Sequence, residues 1–173
     1  MLNRFCQWGL LWILLLVSTA ALAASSPAQQ QFLAGAFAGE QPAPELLWLT
    51  AERRDAASEI LGHRPAAMRV RYWQQAGQSA WILEEIGKEE LITVGFLVSD
   101  EGIQRLRVLV YRESRGGEVR YDFFTQQFLQ SRLSPNLKLE RKIDGISGAT
   151  LSVRALTRLA RLALYYHGQL QPR

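Results

Sequence analysis

The sequence predicts an α+β fold: an antiparallel β-meander of about four strands packed with helices, and a C-terminal helix that starts at residues 144–152. Three observations carry this prediction. Between Met68 and Tyr111 the apolar residues fall into four short runs, joined by stretches as brief as Asp100-Glu101-Gly102. Connections that short allow only antiparallel neighbours, because a parallel return needs a crossover of roughly a dozen residues or more. Residues 121–133 and 151–166 instead repeat their apolar side chains every three or four positions, the period of an α-helix buried on one face. With 173 residues, 48% apolar and 21% charged, the chain has the composition of an ordinary globular domain.

The first residues read as an address. Arg4 precedes a leucine-rich run from Gly9 to Val17, and Ala21-Leu22-Ala23 forms a small-x-small site. This pattern predicts a secretory signal peptide, residues 1–23, cut after Ala23, with the mature protein in the periplasm. The apolar stretch from Leu10 to Ala24 is broken by Ser18 and Thr19 and falls short of the ~20 residues of a spanning helix. No twin-arginine pair is present, so export as an unfolded chain is expected, with any cofactor fitted outside the cytoplasm. The single cysteine, Cys6, lies inside the signal, so disulfides and Cys-based haem or metal sites are excluded from the mature chain. His63 and His167 are far apart and without clustered partners, which argues against a stable metal. Losing residues 1–23 removes one of 20 basic residues and none of the 16 acidic ones, for a net charge of +3. The arginines are scattered, with no basic tract interleaved with aromatics, so no nucleic-acid partner is expected.

Residues 24–44 are rich in Ala, Ser, Gln, Gly and Pro and are expected to be a flexible lead-in, although Phe32, Leu33 and Phe37 allow one short helical pattern. Residues 45–173 are expected to form the domain. Leu46-Leu47-Trp48-Leu49 is apolar and fits strand or helix. Thr50 is a natural N-cap with Glu52 in the first turn and Gly62 as the stop; Ala56, Ala57, Ile60 and Leu61 share a face, and Pro65 bars continuation. Met68, Val70 and Tyr72 alternate with Arg69, Arg71 and Trp73 as a half-buried first strand. Strands over 80–86, 91–98 and 103–111 follow. Tyr121, Phe124 and Phe128 predict a helix over 121–133 with Phe124 and Phe128 in the core. Ser134-Pro135-Asn136 ends it, and Leu137–Glu140 alternates as a short strand. In the last helix Leu151, Ala155, Leu159, Leu162 and Tyr166 form the buried stripe, Arg154, Arg158 and Arg161 a solvated face, and Gly168 and Pro172 the stop.

Two stretches carry chemistry. Asp144-Gly145-Ile146-Ser147-Gly148-Ala149-Thr150-Leu151-Ser152 places two glycines and three hydroxyls where the last helix begins. Helix N-termini present unpaired N–H groups and the positive end of the backbone dipole, so they suit phosphate. The plain alternative is a helix start with Ser147 as N-cap. Arg112-Glu113-Ser114-Arg115-Gly116-Gly117-Glu118-Val119 closes the fourth strand, and its adjacent glycines alone would mean a turn. Gly145–Ala149 comes near the Gly-x-Ser-x-Gly nucleophile elbow. The final glycine is Ala149, no Asp or Glu follows Ser147, and the strand–helix alternation of that fold is missing, all of which count against a hydrolase.

Asp144-x-x-Ser147-Gly148-Ala149-Thr150-x-Ser152 resembles the flavinylation motif of the FMN-binding domain family, which includes periplasmic subunits of sodium-pumping NADH:quinone oxidoreductases and Rnf-type complexes. Arg112–Val119 resembles the loop that small exported members carry; larger members have a Glu-Thr-Pro-Gly-type loop there, beside the flavin ring. The resemblance covers roughly residues 80–166. It implies covalent FMN, joined to Thr150 by a phosphoester and delivered from FAD by a flavin transferase that uses a divalent metal. It further implies that Ser147, Gly148 and Ala149 surround the attachment point and that Asp144 orders the turn or is read by the transferase. Gly116 and Gly117 would admit main-chain amides to the flat ring, and Glu113 would accept from a ring N–H or brace the loop. The expected role is an electron carrier served by a membrane-bound redox partner. A non-flavinylated binding or sensor module of the same fold, and a flavin-dependent reductase of ferric chelates or quinone, stay open beside it.

Overall fold

The computed structural model describes residues 26–37 and 41–170. The predicted signal peptide, with Cys6, and the predicted stop at Pro172 lie outside the described residues. Five strands form one antiparallel sheet in chain order: β1 (Glu45–Trp48), β2 (Arg69–Gln75), β3 (Gln78–Ile86), β4 (Leu91–Ser99) and β5 (Gly102–Val110). The four-strand meander is β2 to β5. The ambiguous Leu46–Leu49 segment supplies the fifth strand, with Leu47 opposite Val70. Helix α1 is Pro27–Ala36, α2 is Ala51–Leu61, α3 is the single turn Asp122–Thr125 and α4 is Thr150–Gly168.

Helix α4 lies across β3 and β4 and builds the main core. Ala155, Leu156, Leu159, Ala160 and Ala163 are buried against Trp81, Val94 and Phe96. Tyr72, Trp81 and Tyr166 follow one another through this core, with ring centroids 5.1 and 5.5 Å apart. Helix α2 packs beside α4, capped by Thr50 and stopped by Gly62 in the left-handed region, φ 77°.

Within the expected flexible lead-in, Pro27–Ala36 form a docked helix. Ser26 and Gln29 form a reciprocal capping box, and Pro27 occupies the first turn, which satisfies orphan amides. Phe32, Leu33 and Phe37 then cover the other sheet face, over Trp73, Ala80 and Leu97. A Cβ at Gly95 would lie 2.8 Å from the Phe32 ring, so the glycine in β4 is what lets that ring reach the sheet. Coverage on both faces explains why Tyr72 and Trp73 are both buried, where strict alternation predicts one.

Other expectations are corrected. The helix over 121–133 breaks into α3 and a 3-10 turn at Gln126–Phe128, and Gln130 takes φ 58°, which an α-helix cannot continue through. Phe124 and Phe128 are core, but Tyr121 is exposed. Residues 137–140 form only the isolated bridge Leu133–Leu139. The arginine face of α4 is tied down in part. Arg158 reaches the buried Glu85 at 3.6 Å, and Arg161 donates to the Leu137 and Ile60 carbonyls.

His167 is a satisfied core histidine. The Trp81 indole N–H donates to Ser79 Oγ at 2.7 Å, Ser79 Oγ and His167 Nδ1 share a hydrogen bond of 2.7 Å, and His167 Nε2 faces Asp100 at 3.4 Å. Ser79 is fully buried, so this Ser–His–Asp chain has no path to a substrate.

The packing is open to two measurements. Phe32→Ala should lower stability by about 3–5 kcal/mol, read as a lower urea midpoint at unchanged slope. Burial holds the His167 pKa below its ordinary 6.5, so the unfolded chain takes up this proton at a higher pH than the folded one. The contribution is complete above pH 6.5 and falls as pH drops from there. Urea midpoints between pH 7.5 and 5 should therefore decline more steeply for the wild type than for His167→Gln.

Candidate functional site

The two stretches singled out in the sequence meet at the head of α4. β5 ends at Val110, and residues 111–116 carry the chain to a 3-10 turn at Gly117–Arg120. Gly116 heads that turn with φ 79°, a conformation a Cβ disfavours. A Cβ there would also lie 3.0 Å from the Tyr111 hydroxyl and 3.1 Å from the Ala149 Cβ. Gly116 and Ala149 are thus small because each is the other's wall. Ala149 is buried and closes a turn on the Ile146 carbonyl at 3.0 Å.

Tyr111 locks the junction. Its hydroxyl donates to the Arg115 carbonyl and accepts from Ser152 Oγ at 3.0 Å, joining the end of β5, the glycine loop and the first turn of α4. The Arg120 guanidinium lies over the Tyr111 ring, 5.4 Å from its centroid, and donates to the Gly117 carbonyl at 3.1 Å. The Asp144 amide donates to Gln127 Oε1 at 2.7 Å, which pins the approach to α4 onto the segment after α3.

The helix head itself is open. Its N-cap is Ala149, and no side chain caps it; Ser147 is exposed two residues further back, so the plain N-cap reading is not what forms. Thr150 is the first helical residue and is exposed. Gly148 has φ 81°, and a Cβ there would meet no neighbour within 4 Å, which leaves the approach to Thr150 clear.

A cavity of about 500 Å³ lies between the two stretches, walled by Ser114–Glu118, Arg120 and Tyr121 on one side and by Ser147 and Gly148 on the other. That volume is in the range of small-ligand sites. Arg115 and Arg120 make one wall basic, against the single carboxylate of Glu118. Tyr121 and its neighbour Phe123, ring centroids 6.3 Å apart, are 56% and 61% exposed, and Leu151 is 39% exposed just past Thr150.

Of the residues expected at the site, Ser147, Gly148, Gly116 and Gly117 line this cavity, Ala149 backs it through Gly116, and Thr150 follows directly at the helix head. Asp144 is exposed on the neck leading in. Glu113 points elsewhere. Its Oε1 accepts from the amides of Glu90 at 3.0 Å, Glu89 at 2.8 Å and Lys88, and these bonds hold its carboxyl below the usual carboxylate range. It braces the β3–β4 turn, and a Cβ at Gly87 would collide with it at 2.7 Å. Tyr111, Arg120, Tyr121 and Gln127 were not expected at the site from sequence, where Tyr121 read as part of a helical stripe; the chain crossing sets them beside the head of α4.

The residues fit a flavin phosphate. An uncapped helix head with nearby arginines suits the anion, glycine amides suit close approach to a flat ring, and exposed aromatic side chains suit its faces. Residues 87–165 match the FMN-binding domain family. The matched segment runs from the turn after β3 through both stretches to Tyr165, and leaves α1, β1, α2, β2 and β3 outside. No curated protein and no solved structure matches the chain.

The junction is testable without any ligand. Gly116→Val combines a disfavoured φ with two close contacts and should cost about 1–3 kcal/mol. Tyr111→Phe should cost about 1 kcal/mol through its lost hydrogen bonds. Thermal midpoints of the two variants against wild type check both.

Proposed function

We propose that this is an exported electron-transfer flavoprotein that holds FMN by a phosphoester to Thr150 and relays electrons between a membrane-bound donor and an extracytoplasmic or membrane acceptor. The observation that carries the proposal is an exposed Thr150 at the uncapped head of α4, beside a glycine- and arginine-lined cavity inside the segment that matches the FMN-binding domain family.

A covalent link answers a physical need. A helix terminus stabilises an anion by typically 0.3–1 kcal/mol, at best ~2, and tenfold in affinity takes about 1.4 kcal/mol. Such a site retains a free flavin poorly outside the cytoplasm, whereas an ester makes it part of the chain. In the loading step the Thr150 oxygen bonds to the flavin-side phosphorus of FAD. The pyrophosphate bond breaks, AMP leaves and the hydroxyl proton is released, on a separate flavin transferase holding its divalent metal. Gly148 and Ala149 keep the hydroxyl accessible to that enzyme.

Ser147 and the free amides at the start of α4 would hold the phosphate oxygens, and Arg115 and Arg120 would offset the charge. Gly116 and Gly117 would bring main-chain amides to the ring, while Tyr121, Phe123 and Leu151 would give it apolar cover. FMN, when bound, supplies transfer of one or two electrons. The cavity wall offers two arginines, a solvated carboxylate and a phenol, without a buried acid–base pair, which supports a carrier over a substrate-converting enzyme.

Co-expression with a flavin transferase should give a yellow protein that keeps its fluorescence through a denaturing gel. Its intact mass should exceed that of the bare chain by one riboflavin phosphate less water, and Thr150→Val should carry no adduct. A bare wild-type chain beside an active transferase would overturn the covalent assignment.

A further inference from the structure

β2 and β3 separate halfway along their length. Their ladder runs from Gln75↔Gln78 to Tyr72↔Trp81 and stops, yet β2 reaches back to Arg69 and β3 forward to Ile86. Each remains paired on its far side. Arg69–Arg71 pair with β1, and Ile82–Ile86 pair with β4 from Ile82↔Gly95 to Ile86↔Leu91. The two edges that face each other across the fork therefore have no strand partner. A cavity of about 800 Å³ fills the fork, with Val70 and Arg71 on one bank, Leu83 and Ile86 on the other, and Leu162 and Tyr166 of α4 beneath. It shares no lining residue with the cavity at the head of α4.

The surface around this fork is unusually apolar. Of the eight exposed large hydrophobic side chains among the described residues, five gather here: Leu46, Trp48, Met68, Ile86 and Leu91. Leu46, Ile86 and Leu91 line the cavity itself, Trp48 stands opposite Arg69 in the strand pairing, and Met68 directly precedes Arg69, its carbonyl accepting from the Leu49 amide at 3.0 Å. Scattered exposed apolar residues need no account, but a contiguous set beside unpaired strand edges marks an interaction surface.

We propose that the fork is a docking slot for an extended segment of a partner protein, which enters as an added strand between β2 and β3. Main-chain edges on both banks call for an occupant with N–H and C=O groups along its whole length. A polypeptide in the β conformation has them, and an alkyl or isoprenoid chain does not. Side chains of the added strand alternate between the two faces, so one set meets Leu162 and Tyr166 while the other lies towards Trp73 and α1. The carboxylates on the β3 bank are engaged: Glu85 by His63 at 3.0 Å and by Arg158 at 3.6 Å, and Glu84 by Thr93 at 2.7 Å. Glu84 is exposed on the β3 bank, while Arg69, over the Trp48 ring at 5.6 Å, and Arg71 are exposed on the β2 bank, so the segment carries an acidic residue on its β2 side beside its apolar ones. The slot lies about 18–24 Å along α4 from Thr150 at 1.5 Å per residue, so docking leaves the head of the helix open. This inference stands without any bound flavin.

The test uses the mature chain and an array of short synthetic peptides that alternate Leu, Val or Phe with Thr, each flanked by Glu or by Lys, with the same residues in shuffled order as controls. Peptides that bind are then titrated by fluorescence anisotropy beside versions N-methylated at central residues, which lose main-chain donors and keep every side chain. Acid-flanked alternating peptides should bind, and N-methylation should weaken them about tenfold or more, as loss of a buried hydrogen bond implies. Ala66→Trp and Ala67→Arg, on the exposed loop lining the slot, should abolish binding at unchanged thermal midpoint. Binding no better than the shuffled controls would overturn the proposal. So would equal affinity of the N-methylated peptides, which would assign the slot to an apolar ligand without a main chain, or binding undiminished in both blocking variants.

Discussion

The packing of α4 across β3 and β4 is the contact on which the rest of the structure depends. Each Leu or Ile it buries contributes on the order of 1.5–3 kcal/mol, and Leu156, Leu159 and Leu162 are all buried on this face. One helix therefore anchors the core and borders both cavities. Its N-terminus opens beside the glycine loop, and its C-terminal half forms the floor of the forked cavity. Arg158 and Arg161 extend the same docking to Glu85, Ile60 and Leu137, so the helix is held in rotation as well as position.

Position alone would not make the site at the helix head; the close approach of Gly116 to Ala149 does. At 3.1 Å from where a Gly116 Cβ would stand, Ala149 leaves room for no larger pair. Tyr111 then fastens both segments through one hydroxyl that donates to a carbonyl and accepts from Ser152. The consequence is a helix head kept free of side-chain caps. Such an end is less stable than a capped one by about 1 kcal/mol, and it is the geometry a phosphate can occupy.

The sheet is asymmetric in what covers it. Helices α2 and α4 close one face, while α1 covers part of the other through Phe32, Leu33 and Phe37. The exposed apolar residues divide between the helix head and the fork of β2 and β3. Neither group serves the core, and each lies beside an opening of the structure.

The sequence by itself determined the meander, the closing helix and the pair of stretches at the site. Strand alternation, short connections and helical periodicity are local properties, written in residues that are neighbours along the chain. The resemblance to the FMN-binding domain family rested on local motifs in the same way, and its match to residues 87–165 takes in both of them. Tertiary structure decided what depends on contacts between distant residues. A polar-looking lead-in became α1 because Gly95 leaves space for Phe32; the aromatic stripe after Tyr121 broke because its buried rings serve the core without a continuous helix. Glu113 turned to the amides of the β3–β4 turn, and Tyr111, Arg120 and Tyr121 joined the site only when the chain crossed itself. The fork between β2 and β3 was invisible for the same reason: both read as ordinary strands, and only the pairing register shows where they part.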